Sequence, residues 1–314
     1  MLDGSEFAVP LPPGARGWDQ GYRLKAGDGV GLRAALWNPG GSRGLALYLS
    51  GRTEFLEKAA IAVTALVDRD FAVATVDWRG QGLSDRLLAD PMKGHVKTFE
   101  DFDLDLLALM AVPAIAREGP VRLVLGHSMG GAIALGAAAR GILAPGAMLL
   151  SAPMAGINMP PLVDRVSRVI ARTMRGIGLG DRWPPKSDAG TAYVLNPFEG
   201  NCLTHDTEIY AWQGQALTAE PRLALGLPTF GWMAAAYDAT RLIAKLGPLG
   251  FPVAVHVGSK EGVVDPEAAK TLAGRIGARY EVIEDARHDL LAEDARRRAD
   301  FWSAGDRFFA EAGV

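Results

Sequence analysis

The stretch Val121 to Arg140, VRLVLGHSMGGAIALGAAAR, constrains this chain more than any other. Val121 to Leu125 is a short apolar run with β-branched residues, the pattern of a buried parallel strand. Ala132 to Arg140 is rich in small apolar residues of good helix propensity. Between them stands Gly126-His127-Ser128-Met129-Gly130, a G-x-S-x-G. In a turn from strand to helix these glycines let the two elements approach where a Cβ would clash. Such a turn is strained, exposes the Ser128 hydroxyl and aims helix N–H groups at whatever reacts there. The bare pattern is weak in so glycine-rich a chain, and the strand-turn-helix context carries the argument. Gly131 keeps the first helical turn thin.

Composition bounds the rest. A chain of 314 residues with 49% hydrophobic content can bury a large core, as one domain or a domain with an insertion. With a net charge of −3 and no basic stripe, nucleic acid is not expected as a partner. The single cysteine, Cys202, forms no internal disulfide and suits a reducing compartment. MLDGSEFAVP lacks the basic and apolar regions of a signal peptide, and no apolar run is long enough to span a bilayer. The expected location is the cytoplasm, with peripheral contact at the inner face of the membrane as an option.

Residues 1–20 read as an irregular lead-in. Tyr22 to Lys25 and Val30 to Trp37 flank Gly27-Asp28-Gly29 as a hairpin. Strands are expected at Leu45–Leu49, Phe71–Val76, Val121–Leu125, Ala147–Leu150, Pro252–Val257 and Arg279–Ile283. Helices are expected over Glu54–Arg69, from Thr98, over Pro266–Ile276 and from about Asp294 to Ala310. Such alternation predicts an α/β fold with a mostly parallel central sheet flanked by helices. It breaks over 155–230, where prolines, an arginine-rich amphipathic segment (Arg165, Arg168, Arg172, Arg175) and a helix near Asp206–Leu217 replace it. A loop that long must fold for itself. The expected organisation is therefore a core over 1–154 and 231–314 with a helical cap, 155–230, inserted over the carboxyl ends of the strands. The cap's apolar residues Trp183, Tyr193, Phe198, Tyr210, Trp212, Leu217, Leu223, Leu225, Phe230, Trp232 and Met233 could line an acyl pocket or equally form the cap's own small core. The arginines could meet anionic headgroups, but a solvated helix face is their ordinary reading.

A serine nucleophile needs a base and an acid that orients the base. Of five histidines, His127 adjoins the serine, His256 lies inside the strand VAVHV and reads as a satisfied core histidine, His95 lies far upstream and His205 lies in the cap. His288 follows the last strand, in a loop at a strand's carboxyl end, where catalysis gathers in open α/β sheets. The acid should stand between serine and histidine in chain order. Gly258 to Pro266 offers Glu261 and Asp265. Asp265 precedes Pro266 and a helix, so it reads as an N-cap. Glu261 has no such reading and is preferred, with Asp265 as the alternative.

Gly51-Arg52-Thr53-Glu54, Asp77-Trp78-Arg79-Gly80-Gln81-Gly82-Leu83-Ser84, Gly126 to Gly131 and Ala286-Arg287-His288 together resemble the α/β-hydrolase superfamily, in its monoacylglycerol lipase and bacterial lysophospholipase branch. Gly51 to about Thr98 is especially similar to the bacterial lysophospholipases. Many members have His-Gly where this chain has Ser50-Gly51, and most have aspartate where it has Glu261. The resemblance implies an α/β-hydrolase fold with a cap. It also implies oxyanion donors at the backbone N–H groups of Arg52 and Met129, whose loops leave neighbouring strands. Such a chain is expected to be a serine hydrolase of lipid-like carboxylic esters: Ser128 attacks, His288 relays the proton and Glu261 orients His288, with no metal or cofactor. The alternatives are a short-chain carboxylesterase and a silent binding module of the same fold. Asp77, Arg79 and Ser84 read as a loop tied by its own side chains. Oligomeric state, acyl-chain length and headgroup are not legible.

Overall fold

In the computed structural model, which describes residues 7–185 and 189–314, a hairpin comes first: β1 (Gln20–Lys25) pairs antiparallel with β2 (Gly31–Trp37). There follow β3 (Leu45–Leu49), α1 (Leu56–Val67), β4 (Ala72–Asp77), α2 (Asp101–Met110), α3 (Pro113–Ala116), β5 (Val121–His127), α4 (Met129–Ala139) and β6 (Ala147–Ser151). Helices α5 (Pro161–Gly176), α6 (Thr207–Ala219) and α7 (Phe230–Ile243) intervene before β7 (Val253–Gly258), α8 (Pro266–Ile276), β8 (Arg279–Ile283) and α9 (Ala295–Ala312). Residues 1–6 of the expected lead-in lie outside the described residues, and 7–19 carry no helix or strand.

The strands form one sheet in the order β1-β2-β4-β3-β5-β6-β7-β8. β2 meets β4 antiparallel, and from β4 to β8 every pairing is parallel. Strand residues alternate between faces, as the pleat requires. Leu45, Leu47 and Leu49 of β3 join the core under α2, α4 and α8, while Ala46 and Tyr48 join the core under α1 and α9. With both faces covered, the central strands are apolar throughout and carry no alternation in sequence. That is why they read as short continuous runs.

Among the described residues, 155–230 adds no strand to this sheet. The sequence assigned no element to the stretch after 230. The structure has α7 there, which bridges two layers: Trp232, Ala235 and Ile243 join the sheet core, while Phe230, Ala234 and Tyr237 pack on Ala171 of α5.

The tightest contact in the fold sets the elbow. A Cβ on Gly130 would stand 1.9 Å from the Leu49 carbonyl oxygen, and one on Gly126 would stand 2.9 Å from the Gly131 Cα. α4 can therefore run this close to β3 and β5 only over bare backbone. Gly130→Ala should lower stability by about 3 kcal/mol, whereas Gly274→Ala, in open space on α8, should raise it by up to about 1 kcal/mol. Urea midpoints of the two variants check this, and equal midpoints would refute the close approach.

Candidate active site

Ser128 sits between β5 and α4 with φ 52° and ψ −117°, a conformation L residues rarely adopt. Its N–H donates to the Ser151 carbonyl at 2.9 Å, and its carbonyl accepts from Gly131 and Ala132 to start the helix. The strain is held by backbone on both sides, and it leaves the hydroxyl projecting at the carboxyl edge of the sheet.

Two further loops leave that edge. After β8 the chain turns through Asp285, at φ 61°, and reaches His288, which is buried. Buried Glu293 fixes this loop by accepting the Arg287 N–H at 2.7 Å. The His288 Nε2 lies 3.0 Å from the Ser128 Oγ, and its Nδ1 lies 2.8 Å from the Glu261 Oε2. Glu261 stands in the loop after β7. Its Oε1 accepts the Val263 and Val264 N–H groups at 2.6 and 3.1 Å, which fixes the carboxylate plane. Burial pushes the Glu261 carboxyl up, but the hydrogen bond and charge of His288, with the two amides, outweigh it and hold it below its ordinary value. Asp265 instead caps α8, accepting the Glu267 and Ala268 N–H groups at 2.9 and 3.1 Å.

The remaining histidines are occupied elsewhere. His127 is buried with Nδ1 3.2 Å from the Ser151 carbonyl, His95 meets Thr229, and His205 is held by Glu293. His256 is buried against Phe301, but neither ring nitrogen has a hydrogen-bond partner; burial lowers its pKa to about 3 and keeps it neutral. It is thus an unsatisfied core histidine rather than the satisfied one that the strand pattern suggests.

The loop Ser50 to Glu54, after β3, faces the elbow: a Cβ on Gly51 would stand 3.3 Å from the Ser128 Cβ. Side chains hold it in place. The Trp78 Nε1 donates to the Ser50 carbonyl at 3.0 Å, the Gln81 Nε2 donates to the Gly51 carbonyl at 2.9 Å, and the Glu54 Oε2 accepts the Gly51 N–H at 2.7 Å. Among the described residues, the N–H groups of Arg52 and Met129 have no acceptor within the protein. In the glycine-rich loop, Asp77 accepts from the Leu56 and Leu83 N–H groups and pairs with Arg33, while Arg79 pairs with Asp28 and Asp105.

Sequence reasoning missed a buried ion cluster beneath these loops. The Lys58 Nζ lies 2.5 Å from Glu54 and 2.7 Å from Asp289, tying the loop after β3 to the residue next to His288. Burial alone would lower the ammonium pKa, but Asp289 and Glu54 lift it above its ordinary value. Burial pushes the Asp289 carboxyl up, yet Lys58 holds it down at about 2. Glu54, His127 and Asp289 gather their donor atoms as a metal site would, with the Lys58 ammonium already bound to both carboxylates. The Glu54–Lys58 spacing of i to i+4 was the available signal.

The cap residues named from sequence divide among clusters. Leu217 and Leu223 pack with Val9 and Phe55, Phe230 packs with Ala171, and Trp232 packs with Phe99. Of the α5 arginines, Arg165 is exposed as a solvated face requires, while the other three are half-buried. Arg172 and Arg175 reach Asp238 of α7 at 2.9 and 2.8 Å, and Arg168 lies over Tyr237. The apolar residues point outward instead, with Leu162 72% and Val169 61% exposed. Periodicity shows that a helix has two faces, not which one is inside.

Comparison with known proteins agrees with this architecture. Residues 40–295 match the family model described as serine aminopeptidase, S33. Lysophospholipase L2 of Escherichia coli K12 is 32% identical over 275 residues, covering 82% of this chain and 78% of that protein. A probable lysophospholipase L2 of Haemophilus influenzae is 28% identical over 269 residues, covering 85% and 83%. A soluble variant of the monoglyceride lipase of Saccharomyces cerevisiae, solved with a substrate analog, superimposes with a TM-score of 0.72 at 17% identity over 96% of this chain and 98% of that one. A carboxyl esterase of Bacillus coagulans, solved with glycerol, gives 0.74 at 16% identity over 94% and 99%.

Proposed function

The chain belongs to the family described as serine aminopeptidase, S33, within the α/β-hydrolases, and from that premise we propose that it hydrolyses carboxylic esters of lipid-like substrates, lysophospholipids or monoacylglycerols, through an acyl-enzyme. The observation that carries the mechanism is the continuous relay from Glu261 through His288 to Ser128, with contacts of 2.8 and 3.0 Å. The Ser128 Oγ attacks the acyl carbon while the His288 Nε2 takes its proton. The oxyanion is held by the Arg52 and Met129 N–H groups, each contributing about 3–4 kcal/mol to the transition state. Collapse expels the glycerol oxygen, which leaves with the proton from His288. Water then attacks the acyl-enzyme, His288 again accepts and returns a proton, and the fatty acid departs. Glu261 holds the His288 tautomer and stabilises the imidazolium. No step calls on a metal or cofactor. The relatives named lysophospholipase L2 favour a lipid ester over a short-chain one.

The same reading assigns residues 155–230 as a cap over a core of 1–154 and 231–314, and gives the cap a peripheral contact with the membrane that supplies the substrate. The orientation of α5 supports this contact. Leu162, Val163, Val166, Val169 and Ile170 are exposed on one helix, while Arg172 and Arg175 turn to Asp238 of α7 and Arg165 stays exposed. A helix with such an apolar face inserts it at the headgroup boundary.

Ser128→Ala should fold normally and lose ester hydrolysis by a factor on the order of 10⁴ or more. Glu261→Gln should keep its melting temperature and lose kcat by a factor on the order of 10³. Asp265→Asn should retain most activity, because asparagine caps a helix as well as aspartate. Measuring kcat/KM and Tm decides the acid: a dead Asp265→Asn beside an active Glu261→Gln would move that role to Asp265. For the cap, Val166→Glu with Ile170→Glu should reduce co-sedimentation with phosphatidylglycerol-containing vesicles at least about tenfold, with hydrolysis of a water-soluble ester retained. Undiminished sedimentation would remove α5 from the contact.

A further inference from the structure

We propose that the Arg52 side chain recognises the phosphodiester of a lysophospholipid and so sets which of the two lipid esters the site prefers, an assignment that rests on the function proposed above. Its backbone lies in the loop facing Ser128, and its guanidinium is buried between Gly94, Gly226 and Trp232, where the chain leading to α7 packs on the core. There the Nη2 donates to the Gly226 carbonyl, the guanidinium carbon lies 5.4 Å from the centre of the Trp232 ring, and the buried Nε has no partner. Gly94 leaves room for this group: a Cβ there would stand 2.2 Å from the Nη2. Among the described residues, no carboxylate pairs with it.

That omission sets Arg52 apart from the buried cations nearest the site, although Arg86 too is held by backbone carbonyls alone. Arg33 is matched by Glu57 and Asp77, Lys58 by Glu54 and Asp289, and Arg79 by Asp28 and Asp105. A cation enclosed without a counter-charge is costly, and folds normally neutralise it. Burial pulls the Arg52 guanidinium down to about 10, with no neighbouring acid to lift it. A ligand anion would supply both the charge and the acceptor that the protein withholds.

Phosphate is an anion whose geometry fits, and it is the one that a lysophospholipid carries. A planar guanidinium binds it in a directional, charge-assisted way that an ammonium cannot copy. The reach also matches. In a lysophospholipid, the path from the acyl carbon to phosphorus runs through the ester oxygen, three glycerol carbons and one further oxygen. In Arg52, the path from the amide nitrogen to Cζ runs through Cα, Cβ, Cγ, Cδ and Nε, the same number of bonds. One residue can thus place its N–H at the oxyanion and its guanidinium at the phosphate. A monoacylglycerol offers nothing to the second group.

The test uses Ser128→Ala protein, which binds without turnover, titrated calorimetrically with lauroyl lysophosphatidylglycerol and with monolauroylglycerol, both below their micelle concentrations. The phospholipid should bind about tenfold to a hundredfold more tightly. Adding Arg52→Gln should bring the ratio of the two Kd values close to one, and Arg52→Lys should restore part of it. The Tm of Arg52→Gln should be equal or higher, since an unpaired buried charge is removed; a fall in Tm would mark a structural role and overturn the assignment. A Kd ratio unmoved by Arg52→Gln would overturn it too, as would inorganic phosphate binding as tightly as the lipid, which would make the site one for a free anion. Turnover by unsubstituted protein separates the two proposals. If both esters are hydrolysed while Arg52→Gln leaves the Kd ratio unchanged, only the phosphate assignment fails. If neither is hydrolysed, the function fails and takes this assignment with it.

Discussion

The Leu49 carbonyl and the bare backbone of Gly130 share a space that admits no side chain, and the rest of the site follows from that contact. Because α4 begins there, β5 must turn into it within a single residue, and Ser128 takes the left-handed conformation. The turn fixes where the hydroxyl projects and where the first N–H of α4 points. It also brings the loop after β3 against the elbow, so that one approach between two elements assembles both the candidate nucleophile and the candidate oxyanion donors. The strain is sustained because the sheet and helices around it are buried on both faces.

Electrostatics completes what packing begins. The loop after β3 carries no regular structure, yet Trp78, Gln81 and Glu54 occupy its polar groups, and Lys58 ties Glu54 to Asp289 beside His288. A buried ammonium between two carboxylates is a weak source of net stability, but each member is costly to leave alone. Such a cluster therefore constrains geometry: the loop after β3 and the loop after β8 cannot drift apart without exposing an unpaired buried charge. Arg52, in the same loop, is a buried cation that has no carboxylate partner among the described residues.

Much of the fold was legible because its cause is local. Buried parallel strands need apolar runs, a helix entered through Asp265-Pro266 needs its cap, and the glycines of the elbow mark a close approach. The three side chains singled out by chain order, Ser128, Glu261 and His288, stand in hydrogen-bond contact. What was not legible depends on three-dimensional neighbours. The inward turn of Arg172 and Arg175 requires Asp238, on a helix that the sequence did not announce. The Lys58 cluster joins residues from α1, the elbow and the last loop. His256 looks like any histidine in a strand until both of its ring nitrogens prove to lack a hydrogen-bond partner.

The central claim is that the elbow serine is an activated nucleophile, and covalent labelling tests it most directly. The folded protein should react with a fluorophosphonate to give a single adduct, mapped by mass spectrometry to Ser128, and His288→Ala should lose the labelling while keeping its fold. An unlabelled protein, an adduct on another residue, or labelling indifferent to His288→Ala would contradict the account.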